Sequence, residues 1–224
     1  MSIKKNILSI HEELATTSCK LIAVSKTKPA QSIKEAYACN QRDFGENKVQ
    51  ELVTKHETLP DDIRWHMIGH LQSNKVKYIA SFVHMIHAVD SEKLLQIINQ
   101  EAAKNKRIIK CLLQVKIATE ETKYGLNKSE VKELIELARA GSYPNVQISG
   151  LMGMATNTTD KAQIESEFES IHQLLQRFQK EFQSTNIELN ELSIGMSSDY
   201  KLAIKHGSTM IRIGSTIFGE RYYP

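Results

Sequence analysis

The 224-residue sequence places a lysine, Lys26, directly after the short apolar and β-branched run Leu21-Ile22-Ala23-Val24-Ser25. At such a strand end, partly desolvated and near other cations, a lysine becomes the kind of amine that favours Schiff-base chemistry with a carbonyl compound. Lys28 falls on the same side of the strand by alternation, so parity does not separate the two. Pro29 does, because it opens the following helix and leaves Lys28 farther from the strand. A solvated lysine at a strand end is the competing structural reading.

A second group of residues suits an anion. Gly195-Met196-Ser197-Ser198-Asp199 sets two hydroxyls ahead of a helical pattern, where unpaired amides and the helix dipole attract negative charge; a plain helix cap is the alternative. Farther on, Arg212-Ile213-Gly214-Ser215-Thr216 joins a cation, a glycine that admits close backbone approach, and two hydroxyl donors. In Phe44-Gly45-Glu46-Asn47, Gly45 permits a tight turn and Asn47 either orients a ligand or caps the next helix. No Walker, GxGxxG or nucleophile-elbow motif competes with these segments.

Metal chemistry finds less support. His66 and His70 are four apart but straddle a strand and its loop, so they lack the shared helix face behind an i, i+4 zinc pair. The odd spacing of His84 and His87 within a strand points them to opposite faces. Cys19, Cys39 and Cys111 show no CxxC spacing and form no disulfide framework, which fits a reducing cytosol. No metal site is expected.

These residues sit at the ends of short apolar segments, each followed by an amphipathic one. The segments are Leu21–Ser25, Arg42–Phe44, Arg64–Ile68, Phe82–His87, Ile108–Ile117, Val146–Gly150, Leu189–Ile194 and Met210–Ile213. Helical patterns begin near Ser32, Lys48, Ser73, Ser91, Ser129, Asp160 and Asp199, and another precedes the first strand. In the pattern from Asp160 to Phe182, Ile164, Phe168, Ile171, Leu174, Leu175, Phe178 and Phe182 step by three or four and read as a core face. Eight strand-helix units in one chain predict an α/β fold, a (β/α)8 TIM barrel with an extra N-terminal helix; a doubly wound sheet is the rival. In a closed barrel the seventh and eighth junctions are neighbours and merge into one phosphate cup, beside a lysine on strand one and an arginine on strand eight. That is the equipment for pyridoxal phosphate.

Composition agrees. With 41% hydrophobic and 25% charged residues, 10 glycines and 4 prolines, the chain is neither collagen-like nor disordered. A net charge of +3 from scattered basic residues gives no nucleic-acid footprint. The N-terminus lacks the apolar stretch of a signal peptide, and no window approaches the ~18 apolar residues of a membrane span. A soluble, cytoplasmic protein is expected, one domain over residues 1–224 without a linker, and a self-contained barrel permits a monomer.

Ala23-Val24-Ser25-Lys26-Thr27-Lys28-Pro29, Phe44-Gly45-Glu46-Asn47, Trp65-His66 through Lys75, Gly150-Leu151-Met152-Gly153-Met154, Gly195 through Asp199 and Arg212 through Gly219 together resemble, in order and nearly end to end, the pyridoxal phosphate homeostasis proteins of the YggS/PROSC type. That family is related to the barrel domain of alanine racemase. The resemblance implies a fold type III site in which Lys26 forms the Schiff base and Ser197, Ser198, Gly214, Ser215 and Thr216 surround the phosphate. It also implies that Arg212 faces the pyridine nitrogen, where a permanent cation disfavours ring protonation and weakens the cofactor as an electron sink. Lys28, His66 and Asn47 are further pocket residues on the same basis. Met152 and Met154 stand where a racemase-like site would carry something more polar against the ring.

What the resemblance implies about function is intracellular homeostasis of pyridoxal 5'-phosphate, with the protein as carrier or regulator and no catalytic residues. The racemase's second domain, which supplies an opposing tyrosine, has no counterpart in this length. Partners would be pyridoxal phosphate, related B6 vitamers and PLP-dependent apo-enzymes. A PLP-dependent racemase or lyase is the alternative, and a cofactor-free isomerase of a phosphorylated sugar would use the cup alone.

Overall fold

The computed structural model describes residues 2–119, 124–182 and 186–220. Helix α1 (Ile3–Leu14) comes first, followed by β1 (Lys20–Val24), α2 (Ala30–Tyr37), β2 (Asp43–Glu46), α3 (Val49–Thr58) and β3 (Arg64–Met67). A 3-10 helix (Ser73–Tyr78) leads to β4 (Met85–Val89), α4 (Glu92–Lys104), β5 (Ile109–Val115), α5 (Lys128–Arg139) and β6 (Val146–Gly153). The chain ends its described course with α6 (Lys161–Glu181), β7 (Ile187–Met196), α7 (Tyr200–Lys205), β8 (Met210–Ile213) and α8 (Ser215–Phe218).

Each strand pairs in parallel with its successor, and β8 pairs with β1, setting Ile22 opposite Arg212 and Ala23 opposite Ile213. That last ladder closes the sheet and excludes the doubly wound alternative, which needs two open edges. Helices α4, α5 and α6 form where a side-chain cap and an apolar stripe coincide. Ser91 accepts from the Leu94 amide ahead of Leu94, Leu95, Ile98 and Ala102, and Asn127 forms a capping box with Glu130 before Val131, Leu134 and Ile135. Asp160 caps α6, whose Ile164, Phe168, Ile171, Leu174, Leu175 and Phe178 are buried, as the three-four stepping predicts.

Most strand ends shift by one to three residues from the expectation, and two departures have a specific physical reason. Strand β4 starts at Met85 and not at Phe82, because the Val83 amide still donates to Ile79 in a helical turn and Arg107 binds the Ala80 and Val83 carbonyls. The chain after β8 folds into the four-residue α8, too short to show any period in sequence.

The large core lies between strands and helices. Inside the barrel a smaller cluster of Ile22, Met85, Ala88, Leu112, Met152 and Met210 fills part of the space. Met152 is thus core, and Met154 packs against it. Gly45 is not in a turn: it lies within β2, where a Cβ would come within 2.9 Å of Ile68 and 3.0 Å of Ile22. The glycine is required by crowding in the barrel interior.

Candidate functional site

Lys26 sits in the turn after β1, and both of its neighbours are tied down from behind. The Ser25 amide donates to Gly45 (3.1 Å), and its hydroxyl donates to Glu46 Oε1 (2.6 Å). The buried Lys55 ammonium bridges the Ser25 carbonyl (2.8 Å), Glu46 (2.7 Å) and Glu51 (2.7 Å). Glu51 in turn accepts from the Thr27 amide at 2.6 Å. Thr27 needs that hold, since its φ of 64° is left-handed backbone that a β-branched residue rarely adopts, at a cost of order 1–3 kcal/mol. Burial pushes the Glu46 carboxyl above its usual range, and Lys55 opposes the rise.

Lys28 and Lys26 part ways here. The Lys28 ammonium donates to the carbonyls of Phe218, Gly219 and Glu220 at 3.0–3.1 Å, capping the C-terminal end of α8. Both lysines line a cleft of about 280 Å³ with Ser197, Ser198, Arg212, Gly214 and Ser215, but the Lys28 amine is committed to that cap.

The far wall of this cleft joins the ends of β7 and β8. Ser197 Oγ accepts from the Gly214 amide at 3.2 Å, and Asp199 accepts from the Met196 amide at 2.6 Å. A Cβ on Gly214 would lie 3.2 Å from the Val24 carbonyl, so glycine eases the close approach of this loop to the end of β1. The first amides of α8, Ser215 and Thr216, have no preceding helical carbonyl to bond. Thr216 is exposed and stands beside the cleft on α8.

Arg212 closes the floor. It is 4% exposed, with Nη1 donating to the Ser193 carbonyl (2.7 Å) and hydroxyl (2.6 Å) and Nη2 to the Gly153 carbonyl (3.0 Å). Burial lowers its pKa to about 10, opposed by Asp199, so it remains a cation at neutral pH.

Two expected pocket residues lie elsewhere. His66 is buried inside the barrel, bonded to Asp43 and His87. Asn47 borders a separate groove with His70, Gln72 and Lys75; it does not cap α3, whose first residue follows Lys48, and its buried Oδ1 has no partner. His70 points away from His66 to the rim, stacking on Tyr124 and bonding Asp90. The expectation that His84 and His87 face oppositely fails, because both rings touch His66, at 5.2 and 5.1 Å. His84 precedes β4, so strand alternation does not govern it. Asp43, His66 and His84 bring ligand atoms within 4.8 Å of one another, but the Arg64 guanidinium already occupies both Asp43 oxygens.

Sequence reading missed Ser25, Glu46, Glu51 and Lys55 behind the lysine turn, and His87 and Ser193 behind Arg212. The Glu51–Lys55 spacing was a visible helical ion pair. For the others, only closure of the barrel makes them neighbours.

The model for alanine racemase, N-terminal domain, matches residues 1–222. The pyridoxal phosphate homeostasis protein of Aquifex aeolicus (strain VF5) is 40% identical over 205 residues, covering 91% of this chain and 88% of its own length. PipY of Synechococcus elongatus PCC7942 superposes without PLP at a TM-score of 0.89 and 38% identity, over 97% of this chain and 100% of its own. Its structure with PLP bound gives 0.86 and 37% over the same shares. Alanine racemase from Streptomyces coelicolor A3(2) shares the fold at a TM-score of 0.78 with 14% identity, this chain spanning 58% of it. With the closed barrel, the family model over nearly the whole chain and relatives of about 40% identity, this chain belongs to the pyridoxal phosphate homeostasis protein family, within the alanine racemase N-terminal domain group.

Proposed function

We propose that the chain binds pyridoxal 5'-phosphate at the C-terminal mouth of the barrel and serves its intracellular homeostasis as a carrier or regulator. The observation that carries this reading is the meeting of an amine, a hydroxyl-lined anion cup and a buried cation in one cleft: Lys26, then Ser197, Ser198 and Ser215 around Gly214, then Arg212. The donor set fits the group, with hydroxyls and helix-start amides for a phosphate and a guanidinium on the floor. The name of the relatives and the PLP-bound form of PipY support it.

Pyridoxal phosphate supplies an aldehyde that condenses with a primary amine, releasing water. Lys26 would offer that amine from its anchored turn. The Ser197, Ser198 and Ser215 hydroxyls, with the amides of Ser215 and Thr216, would take the phosphate. Arg212 would face the ring nitrogen and, as a cation, keep a proton off it. Among the described residues lining the cleft, the ionisable side chains are Lys26, Lys28 and Arg212, and Lys28 is engaged as a cap. Proton exchange on both faces of a substrate would need a further group, which favours holding over turnover. B6 vitamers are the small-molecule partners in this reading, PLP-dependent apo-enzymes the recipients, and the monomer the working unit.

Titration with pyridoxal phosphate is expected to give a visible band that Lys26→Ala abolishes, with far-UV circular dichroism unchanged. The loaded protein, given single-enantiomer amino acids, should exchange their stereochemistry no faster than free pyridoxal phosphate. Sustained faster exchange would establish a racemase instead.

A further inference from the structure

Barrel interiors are mostly filled by branched apolar side chains, yet this one carries a polar column from one mouth to the other. Arg212 Nη1 meets Ser193 Oγ at 2.6 Å, and Ser193 Oγ meets His87 Nδ1 at 2.9 Å. His87 Nε2 meets His66 Nδ1 at 2.9 Å, and His66 Nε2 meets Asp43 Oδ1 at 3.0 Å. Asp43 opens β2, at the mouth opposite the cleft, and is bonded there by Arg64.

The direction of these bonds follows from the donors. A guanidinium only donates, so Ser193 Oγ accepts from Arg212, and with a carboxylate accepting at the other end and both rings neutral, its own proton goes to His87 Nδ1. The His87 proton must then lie on Nε2 and go to His66 Nδ1, and the His66 proton on Nε2 goes to Asp43. With both imidazoles neutral, no other arrangement makes every contact; the reverse order would set a ring lone pair against a carboxylate. Complete burial holds His87 well below the ordinary imidazole range, as neutrality requires.

We propose that His87 is a positioning residue for Arg212, and that the Ser193–His87–His66–Asp43 column fixes the guanidinium on the cleft floor and couples it to the Asp43 carboxylate at the opposite mouth. The ring nitrogen of a bound pyridine ligand would thus be tuned by residues that never touch it. This part rests on the pyridoxal phosphate reading; the geometry of the column does not.

The experiment has two arms. In the ligand-free protein, long-range proton–nitrogen NMR of the imidazoles should show His66 and His87 as neutral Nε2–H tautomers, and the Arg212 guanidinium signals should move in Asp43→Asn. Nδ1–H tautomers, or an Arg212 spectrum indifferent to residue 43, overturn the proposal. In the second arm, wild type, His87→Leu, His87→Gln and Asp43→Asn are titrated with pyridoxal phosphate. Leu should displace the visible band and weaken binding about tenfold, the scale of one buried hydrogen bond, while Gln, which can accept and donate across the same gap, restores both. Superimposable spectra in all four overturn the coupling. If His87→Leu does not fold, Ser193→Ala and Asp43→Asn carry the comparison. A wild type that binds no pyridoxal phosphate refutes the functional reading alone, and the tautomer arm still decides the column.

Discussion

Lys26 is set apart from Lys28 by what its neighbours do. The Lys28 amine is spent on three carbonyls of the α8 end, while Ser25 and Thr27 are clamped by a buried Glu46–Lys55–Glu51 network. Removing Lys55 leaves a carboxylate buried without its cation, so Lys55→Met is expected to cost about 3 kcal/mol of stability and to loosen ligand binding. The pair Lys55→Met with Glu46→Gln should recover much of the stability in denaturant unfolding. A single variant as stable as the parent would mean the network does not hold the turn. Asp43 gives a pH signature at the other mouth. Burial opposes its ionisation, but bonds from Arg64 and His66 more than offset this and hold its carboxyl below the ordinary 3.8. A depressed carboxylate stabilises the fold above that ordinary value and loses its contribution as pH falls through and below it. Asp43→Asn should therefore flatten the acid limb of a stability-pH curve, and an unchanged limb would assign the acid sensitivity elsewhere.

The elements divide the work between a rigid sheet and short loops at its C-terminal edge. The Ser197 hydroxyl accepting from the Gly214 amide is the stitch between the β7 and β8 loops. Ser197→Ala is expected to weaken pyridoxal phosphate and inorganic phosphate alike, by about tenfold, the loss of one hydrogen bond plus an unsatisfied amide. Calorimetry with both ligands checks this, and a loss for pyridoxal phosphate alone would move Ser197 from the anion cup to the ring. Helix α6 is a contrasting case, since Phe168 is fully buried against the outside of the sheet. Phe168→Ala should cost about 3–5 kcal/mol of stability with little change in affinity while the protein stays folded. The elements were largely legible in sequence because caps and apolar stripes are local signals, as at Ser91 and Asp160. The turn from Ile79 to Val83 was not, since its direction is set by Arg107 reaching across from beyond the end of α4.

At the scale of the molecule, closure of β8 on β1 brings residues far apart in sequence into one mouth and one interior. Lys26, Ser197 and Arg212 were readable because strand ends and the loops after strands seven and eight are where such barrels place ligands. The column behind them was not, for His87 and Ser193 are 106 positions apart and nothing local in either strand marks them as partners. Asn47 and His66 were assigned to the pocket by resemblance, but one borders another groove and the other faces the barrel interior. No helix among the described residues is long and apolar enough to cross a membrane. The most direct measurement is borohydride reduction of the protein with pyridoxal phosphate, followed by peptide mass mapping. A single stable adduct on Lys26 is the expected result, and an adduct on Lys28, or none, would contradict the assignment of the site.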